Sequence, residues 1–542
     1  ELIKVFAAGL VFDAAVAGQG LLPLLLYLAA VPRRFFNTRW NKAFILLIVW
    51  SSAAGLLLLS VTEAYFWAEF QARFNFIAVD YLVYTQELLG MIREGYPVKT
   101  VFAGIAAVAT LITLLFYGKC LRWDDTASLR GRMTVAIAGL VFPFAVFFLL
   151  SGSMKNISTN ATDNELAGNG VYEFFSAFRN NELDYDRYYK TMPEGELSAE
   201  LRDLLQESNS RFIAGDSADL TRKVTADGPE KHPNIVVITV ESLSAEYLGV
   251  FGNTQGLTPN LDKLAKESLL FTRVYATGTR TVRGLEALSL AIPPTPGQSI
   301  VRRPDNGDLF TLGSVLNNRD YKSWFIYGGY GYFDNMNEFY QKNNYQIFDR
   351  TDIPQERIMT ETVWGVADEV VFDEALENLD RAYAKGEKTF QTIMTTSNHR
   401  PYIYPDGRID IPSPGGREGA VKYTDWAIGK FIEDARKKPW FNNTVFVIVA
   451  DHQASSAGNT EVPIKKYHIP LLIYAPELIS PGRVDRLMSQ IDVPPTLLGL
   501  LADHVASATA WVLPLPAGGF LYIAMTSVLP APRVPASRLP SV

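Results

Sequence analysis

Hydrophobic positions follow two regimes along this chain. Up to about residue 152 they form long uninterrupted runs near 5–31, 43–61, 100–117 and 133–151. Each run is close to the roughly 20 helical residues needed to cross a bilayer, so the pattern predicts four membrane spans. From 234 onward the runs shorten and become β-branched: NIVVITVES (234–242), KSWFIYG (322–328), TFQTIMTTS (389–397), TVFVIVADH (444–452) and HIPLLIYAP (468–476). Such continuous apolar strands are buried on both faces in parallel sheets. Helical text separates them, as in LDKLAKESLL (261–270) and DEVVFDEALENLDRAYAKG (368–386). The expected fold is an α-helical transmembrane N-terminal domain followed by an α/β domain with a mostly parallel sheet, its ligands lying beyond the carboxyl ends of the strands.

Boundaries follow from the change of texture: a transmembrane domain at 1–152, a linker with amphipathic helices at 153–230, the α/β domain at 231–501 and an atypical tail at 502–542. The chain opens at Glu1 directly into an apolar run, which reads as a truncated start with no identifiable cleavable signal peptide. Asp13 sits within the first span, where an ionisable side chain is costly; it predicts either function or an interhelical hydrogen bond.

Charge sets the orientation. The loop 32–42 holds Arg33, Arg34, Arg39 and Lys42 with no acid, and 118–132 holds Lys119, Arg122, Arg130 and Arg132 against Asp124 and Asp125. Both read as cytoplasmic, which puts 62–99 and everything after 152 outside. The first 152 residues carry 12 Lys and Arg against 9 Asp and Glu, whereas the whole chain has a net charge of −7. The part beyond the membrane is therefore acidic, which argues against a nucleic-acid partner. A single cysteine, Cys120, excludes an intramolecular disulfide framework and a Cys-rich zinc site.

Polar residues cluster at the ends of the predicted strands. Glu241 ends the first, Asn398 and His399 follow the third, and Asp451 and His452 end the fourth. Two carboxylates and an imidazole make a mixed oxygen and nitrogen set suited to Mn, Zn or Mg. The alternative for Asp451 and His452 is a helix cap and a core histidine. The segment ATGTRTVRGLEALSLAIPP (276–294) offers Thr277, Thr279 and Thr281 as nucleophiles, each needing activation by a cation, or else as N-caps of the apolar run from Leu285 to Ile292.

These residues carry a resemblance. The chain resembles the lipoteichoic acid synthase-type phosphoglycerol transferases of the alkaline phosphatase and sulfatase superfamily over about 1–500. YFWAEFQARFNFIAVDYLVYT (65–85) is similar to the Gram-negative branch, and TPNLDKLA (258–265) and IDVPPTLLGLL (491–501) resemble general superfamily text. The resemblance implies a sulfatase-like catalytic domain on the periplasmic side of a bacterial inner membrane. It also implies a phosphatidylglycerol donor, a glycan or glycolipid acceptor, and a phospho-threonine at Thr281. One divalent metal, typically Mn, would be held by Glu241, Thr281, Asp451 and His452. SNHRPY (397–402) is similar to a family segment whose histidine faces the substrate phosphate, giving His399 that role.

Thr279 keeps a competing case, because Thr279 and Arg283 reproduce the spacing from nucleophile to arginine in sulfatases; Arg283 is thus a substrate-binding candidate. Sulfatase activity itself needs a cysteine or serine convertible to formylglycine, and neither stands at the candidate nucleophile positions 277, 279 and 281. YGGYGYFDNMNEFY (327–340) departs from the basic head-group site of Gram-positive synthases, leaving Asp334 and Asn335 to hydrogen-bond a glycerol. The alternatives are a phosphoethanolamine transferase, usually disulfide-rich, or a non-catalytic membrane scaffold. ATAWVLPLPAGGFLYIAMTSVLP (508–530) resembles a ZIP zinc transporter helix without its His-Glu motifs and reads as a fusion or gene-model artefact.

Overall fold

The computed structural model describes residues 1–36, 38–75, 77–79, 85–121, 128–179, 193–206, 210–213, 222–224, 231–295, 297–458, 460 and 462–502. The tail from 503, with its transporter-like text, lies outside the described residues. The chain divides into two compact units, Glu1–Asn181 with Ala457–Pro463, and Glu182–Ser456 with Ile464–Val542. Residues 153–179 fall within the first of these units.

In the first unit the long helices are α1 (Leu2–Ala30), α2 (Arg39–Phe70), α3 (Val98–Leu121) and α4 (Leu129–Leu149). Leu2–Tyr27, Arg39–Phe70 and Val98–Gly118 are long and apolar enough to cross a membrane, matching the first three expected spans. The fourth expected span falls largely within α4, a 21-residue helix. Helix α2 packs along α3, and Trp50 Nε1 donates to Thr110 Oγ1 at 3.1 Å. Asp13 accepts a hydrogen bond from Asn169 Nδ2 at 2.7 Å, the plainer of its two readings; Asn169 lies just before the short helix Gly170–Arg179.

The second unit is built on an eight-stranded sheet: β1 (Asn234–Val240), β2 (Leu269–Tyr275), β3 (Tyr321–Tyr327), β4 (Gln346–Phe348), β5 (Lys388–Met394), β6 (Thr444–Ala450), β7 (His468–Tyr474) and β8 (Gly482–Ser489). Their spatial order is β8-β2-β7-β6-β1-β5-β3-β4. Every pairing is parallel except the two made by β7, which runs antiparallel to β6 and β2. The mostly parallel expectation holds, with HIPLLIYAP as the reversed strand.

Helices α5 (Pro259–Lys266), α6 (Thr281–Leu290), α7 (Asp368–Lys385), α8 (Gly416–Ala435) and α9 (Val493–Ala502) contribute to the core. All residues of β1 and β6 are buried, as their unbroken apolar text requires. The predicted helix 261–270 is too long: α5 stops at Lys266 and Leu269 already belongs to β2. Leu261, Leu264 and Ala265 have helical spacing that runs on to Leu269. The Phe271-Thr272-Arg273-Val274-Tyr275 text prefers a strand, and pairing on both edges outweighs the local period.

Candidate active site

Strands β1 and β6 pair in parallel with Val240 opposite Ala450, so Glu241 and Asp451 leave the sheet at the same height. Asp451 N donates to Val240 O at 3.1 Å, extending the ladder one residue beyond the strand. Adjacent strands lie about 4.8 Å apart. One ligand atom each from Glu241, Asp451 and His452 lies within 4.8 Å of the others.

Backbone groups lock these side chains. Glu241 N donates to Thr395 Oγ1 at 2.9 Å, and Asn398 Nδ2 donates to Glu241 O at 2.8 Å, both from the chain after β5. Ser242 adopts a left-handed φ of 50°, a conformation that costs energy for a non-glycine residue and recurs at functional sites. That turn aims its N–H at Asp451 Oδ1 (2.7 Å) and its hydroxyl at Glu241 Oε1 (2.6 Å). Gln490 spans the other side, donating to the carbonyls of Ala450 (2.8 Å) and Asp451 (2.6 Å).

The His452 ring fits a metal ligand. Its Nδ1 donates to the Gln453 carbonyl at 2.7 Å, which leaves the lone pair of the neutral ring on Nε2. Nε2 faces Asp451 Oδ2 at 3.5 Å and Glu241 Oε1 at 3.7 Å. Asp451 Oδ2 is buried and accepts no hydrogen bond among the described residues. Burial, reinforced by the Glu241 charge, pushes the Asp451 carboxyl well up, and burial pushes the His452 imidazole down. A buried acceptor without a donor, beside a second carboxylate and an imidazole lone pair, is a set that a divalent cation would satisfy.

Thr281 is the first residue of α6, and Oγ1 donates to Glu241 Oε2 at 3.3 Å. The helix N-cap is Arg280 rather than a threonine, so the capping alternative does not describe Thr281. Thr277 is drawn away to Gln490 Oε1, through its N (2.9 Å) and hydroxyl (3.0 Å). His399 packs against Trp364 with ring centres 3.9 Å apart at a tilt of 35°, and its Nδ1 donates to the Arg400 carbonyl at 3.0 Å.

The remaining candidates are tied to protein partners. Arg283 binds Glu286 at 2.8 Å and the Gly297 carbonyl. Asp334 and Asn335 form a left-handed turn after β3 (φ 52° and 60°). Asp334 is buried 3.6 Å from Arg302 Nε, and Asn335 Nδ2 donates to Val301 O at 3.3 Å.

Sequence reasoning passed over several groups here. Buried Asp368 accepts from Thr396 N (2.9 Å), Ser397 N (3.0 Å) and Thr424 Oγ1 (2.7 Å), holding the chain that leads to Asn398 and His399. Tyr327 ends β3, and burial, with the Glu241 charge next in effect, keeps its hydroxyl protonated. Arg280 and Arg417 both act on His452 electrostatically. Arg280 was legible as the neighbour of Thr281; Arg417, in GGREGA, carries no local signal.

Residues 233–504 match the family described as Sulfatase. Phosphoglycerol transferase I of Xanthomonas axonopodis pv. citri is 27% identical over 290 residues, covering 50% of this chain and 41% of that protein. Lipoteichoic acid synthase 2 of Bacillus subtilis is 24% identical over 358 residues, covering 58% of this chain and 54% of its own length. The chain thus spans about half the length of these curated relatives. The crystal structure of a protein in the alkaline phosphatase superfamily from Vibrio parahaemolyticus is 35% identical, with a TM-score of 0.54, over 60% of this chain and 79% of that one.

Proposed function

This chain belongs to the sulfatase family, and from that premise we propose that it is a membrane-bound transferase of substituted phosphate groups. In this reading it moves glycerophosphate from phosphatidylglycerol to an extracytoplasmic glycan or glycolipid. The names of its relatives support the head group. The observation that carries the reaction type is Thr281 Oγ1 at 3.3 Å from a Glu241 carboxylate that belongs to a cation-compatible cluster.

Glu241, Asp451, His452 and the Thr281 oxygen would hold the metal, Mn being the expected ion with Mg and Zn as alternatives. When bound, it supplies charge stabilisation and lowers the pKa of a coordinated hydroxyl. The protein's own residues do the rest. Glu241 orients the Thr281 hydroxyl, and the N-terminus of α6 favours negative charge at its first residue. The Thr281 Oγ–phosphorus bond forms as the bond from phosphorus to the diacylglycerol oxygen breaks, and diacylglycerol leaves as the alcohol. An acceptor hydroxyl then attacks the phosphorus and releases Thr281. His399, held by Trp364 and the Arg400 carbonyl, faces the transferred group. Four N-terminal spans keep the catalytic unit at the lipid surface, on the periplasmic side of the membrane.

Mass spectrometry of the full-length protein, incubated separately with phosphatidylglycerol and phosphatidylethanolamine, tests this reading. The expected result is a glycerophosphate adduct on Thr281 with the first lipid only, absent in Thr281→Ala. An adduct on Thr279 would move the nucleophile, a phosphoethanolamine adduct would change the head group, and no adduct with either lipid would remove the mechanism.

A further inference from the structure

Gln490 is fully buried, and a buried carboxamide is costly unless its two N–H groups and the lone pairs of its oxygen find partners. Here the protein supplies all of them. Nε2 donates to the carbonyls of Ala450 and Asp451 at 2.8 and 2.6 Å, while Oε1 accepts from the N and the hydroxyl of Thr277 at 2.9 and 3.0 Å. Carbonyls on one side and donors on the other leave a single orientation for the amide, since a flip would set oxygen against oxygen. Leucine would keep the volume with neither face, and an ionised glutamate would lack the donors.

The contact joins parts of the sheet that strand pairing keeps apart. Gln490 directly follows β8, the edge strand, and β2 and β7 lie between β8 and β6. Its backbone is fixed locally: Ser489 pairs with Tyr275 of β2, and Ser489 N donates to Asp492 Oδ2 at 2.8 Å. On the other side of the amide, Ala276 N is held by the Tyr467 carbonyl at 2.8 Å and Thr277 follows it. Only residues 278–280 then separate Thr277 from Thr281 at the start of α6. Asp451 is the residue whose carboxylate joins the cluster, so one side chain spans from a proposed ligand to the segment that delivers the proposed nucleophile.

We propose that Gln490 is a positioning residue, which holds the segment carrying Thr281 against the end of β6 and thereby fixes the distance from the Thr281 hydroxyl to the Glu241 and Asp451 carboxylates. The inference rests on the phosphate-transfer reading for the purpose of that spacing, whereas the tether itself is tested without turnover. Removing the amide strands both Thr277 groups and two carbonyls at once, so the chain before Thr281 and the end of β6 lose their common anchor.

The test compares Gln490→Leu with the unaltered full-length protein in detergent. Hydrogen exchange read by mass spectrometry should speed up at least ~10-fold in the peptide covering 276–284, with the peptides of β1 and β5 unchanged. Mn titrated calorimetrically into chelator-treated protein should bind ~10–100-fold more weakly. In phosphatidylglycerol turnover, kcat should fall on the order of 100-fold with KM within about threefold, because position rather than substrate binding is lost. Should Gln490→Leu not fold, Thr277→Val, which removes only the hydroxyl bond, should reproduce the exchange and kcat effects at ~2–10-fold. Unchanged exchange in 276–284 overturns the tether. Faster exchange with Mn affinity and kcat both within about twofold of the unaltered protein overturns the positioning role. A protein that binds no Mn and cleaves no phosphatidylglycerol refutes phosphate transfer, and exchange alone then decides the tether.

Discussion

Gly284 lies so close to the backbone of Asp451 that a Cβ there would overlap the Asp451 carbonyl and come within 2.9 Å of its Cα. Glycine thus lets α6 settle directly on the end of β6, and Thr281 lies one helical turn earlier on that helix. The obstacle is backbone, which cannot swing aside as a flexible side chain could.

Gly284→Ala is therefore expected to lift α6 from the sheet edge. Overpacking of this kind costs about 1–3 kcal/mol, and a displacement of the proposed nucleophile near 1 Å costs on the order of 100-fold in rate. Thermal unfolding together with phosphatidylglycerol turnover reads both effects. Wild-type turnover with an unshifted midpoint would show that the helix accommodates the methyl group.

Ser242 touches both carboxylates without being a proposed ligand, its hydroxyl on Glu241 and its N–H on Asp451. Ser242→Ala removes the first contact and keeps the second. Groups that orient ligands are typically worth about 10–100-fold in metal affinity, so Mn binding to chelator-treated protein should weaken by that range. An unchanged dissociation constant would confine Ser242 to its backbone role.

Asp425 accepts Leu261 N (2.7 Å), Asn260 N (3.0 Å) and Asn260 Nδ2 (2.8 Å) at the start of α5, and burial pushes its carboxyl up to about 6 from 3.8. The folded state binds the proton more tightly, so this residue's contribution to stability falls as pH rises from about 4 to about 6 and is constant above. The shift corresponds to about 3 kcal/mol at most. Asp425→Asn does not titrate, so the stability difference between wild type and variant should move in the variant's favour across that window. A difference that is flat from pH 4 to 7 would contradict the raised value.

The proposed orientation is tested with the native thiol. An impermeant thiol reagent applied to intact cells should miss Cys120, in the last turn of α3 within the Lys/Arg-rich stretch 118–132. It should label a Lys385→Cys, Cys120→Ser protein, whose new thiol lies on the exposed end of α7. Labelling of Cys120 together with protection at 385 would put the catalytic unit in the cytoplasm, out of reach of outer-leaflet lipid.

Strand ends were the most legible feature of the chain. Glu241, Asp451 and His452 each follow an unbroken apolar run, and a parallel sheet has one carboxyl edge at which such residues meet. Thr281 stood out through its surrounding text. Gln490 did not, because its partners, Thr277 and the Asp451 carbonyl, are set by the order of strands in the sheet. Arg283, Asp334 and Asn335 had suitable chemistry, yet nothing in their spacing foretold that Glu286, Arg302 and Val301 would engage them. The close approach at Gly284 was equally hidden, since one glycine in a helical run also reads as tolerated variation.

The register that places Val240 opposite Ala450 has a consequence for how such a protein diversifies. The spacing of Glu241 and Asp451 follows the hydrogen-bond ladder between β1 and β6, whereas 328–335 and 395–415 connect the ends of β3 and β5 to the helices Met336–Lys342 and Gly416–Ala435 as loops. Those loops can lengthen, shorten or be exchanged between relatives without re-spacing the two carboxylates. A loop graft is accordingly the engineering route to new substrate contacts, with the Glu241, Asp451 and His452 cluster carried over unchanged.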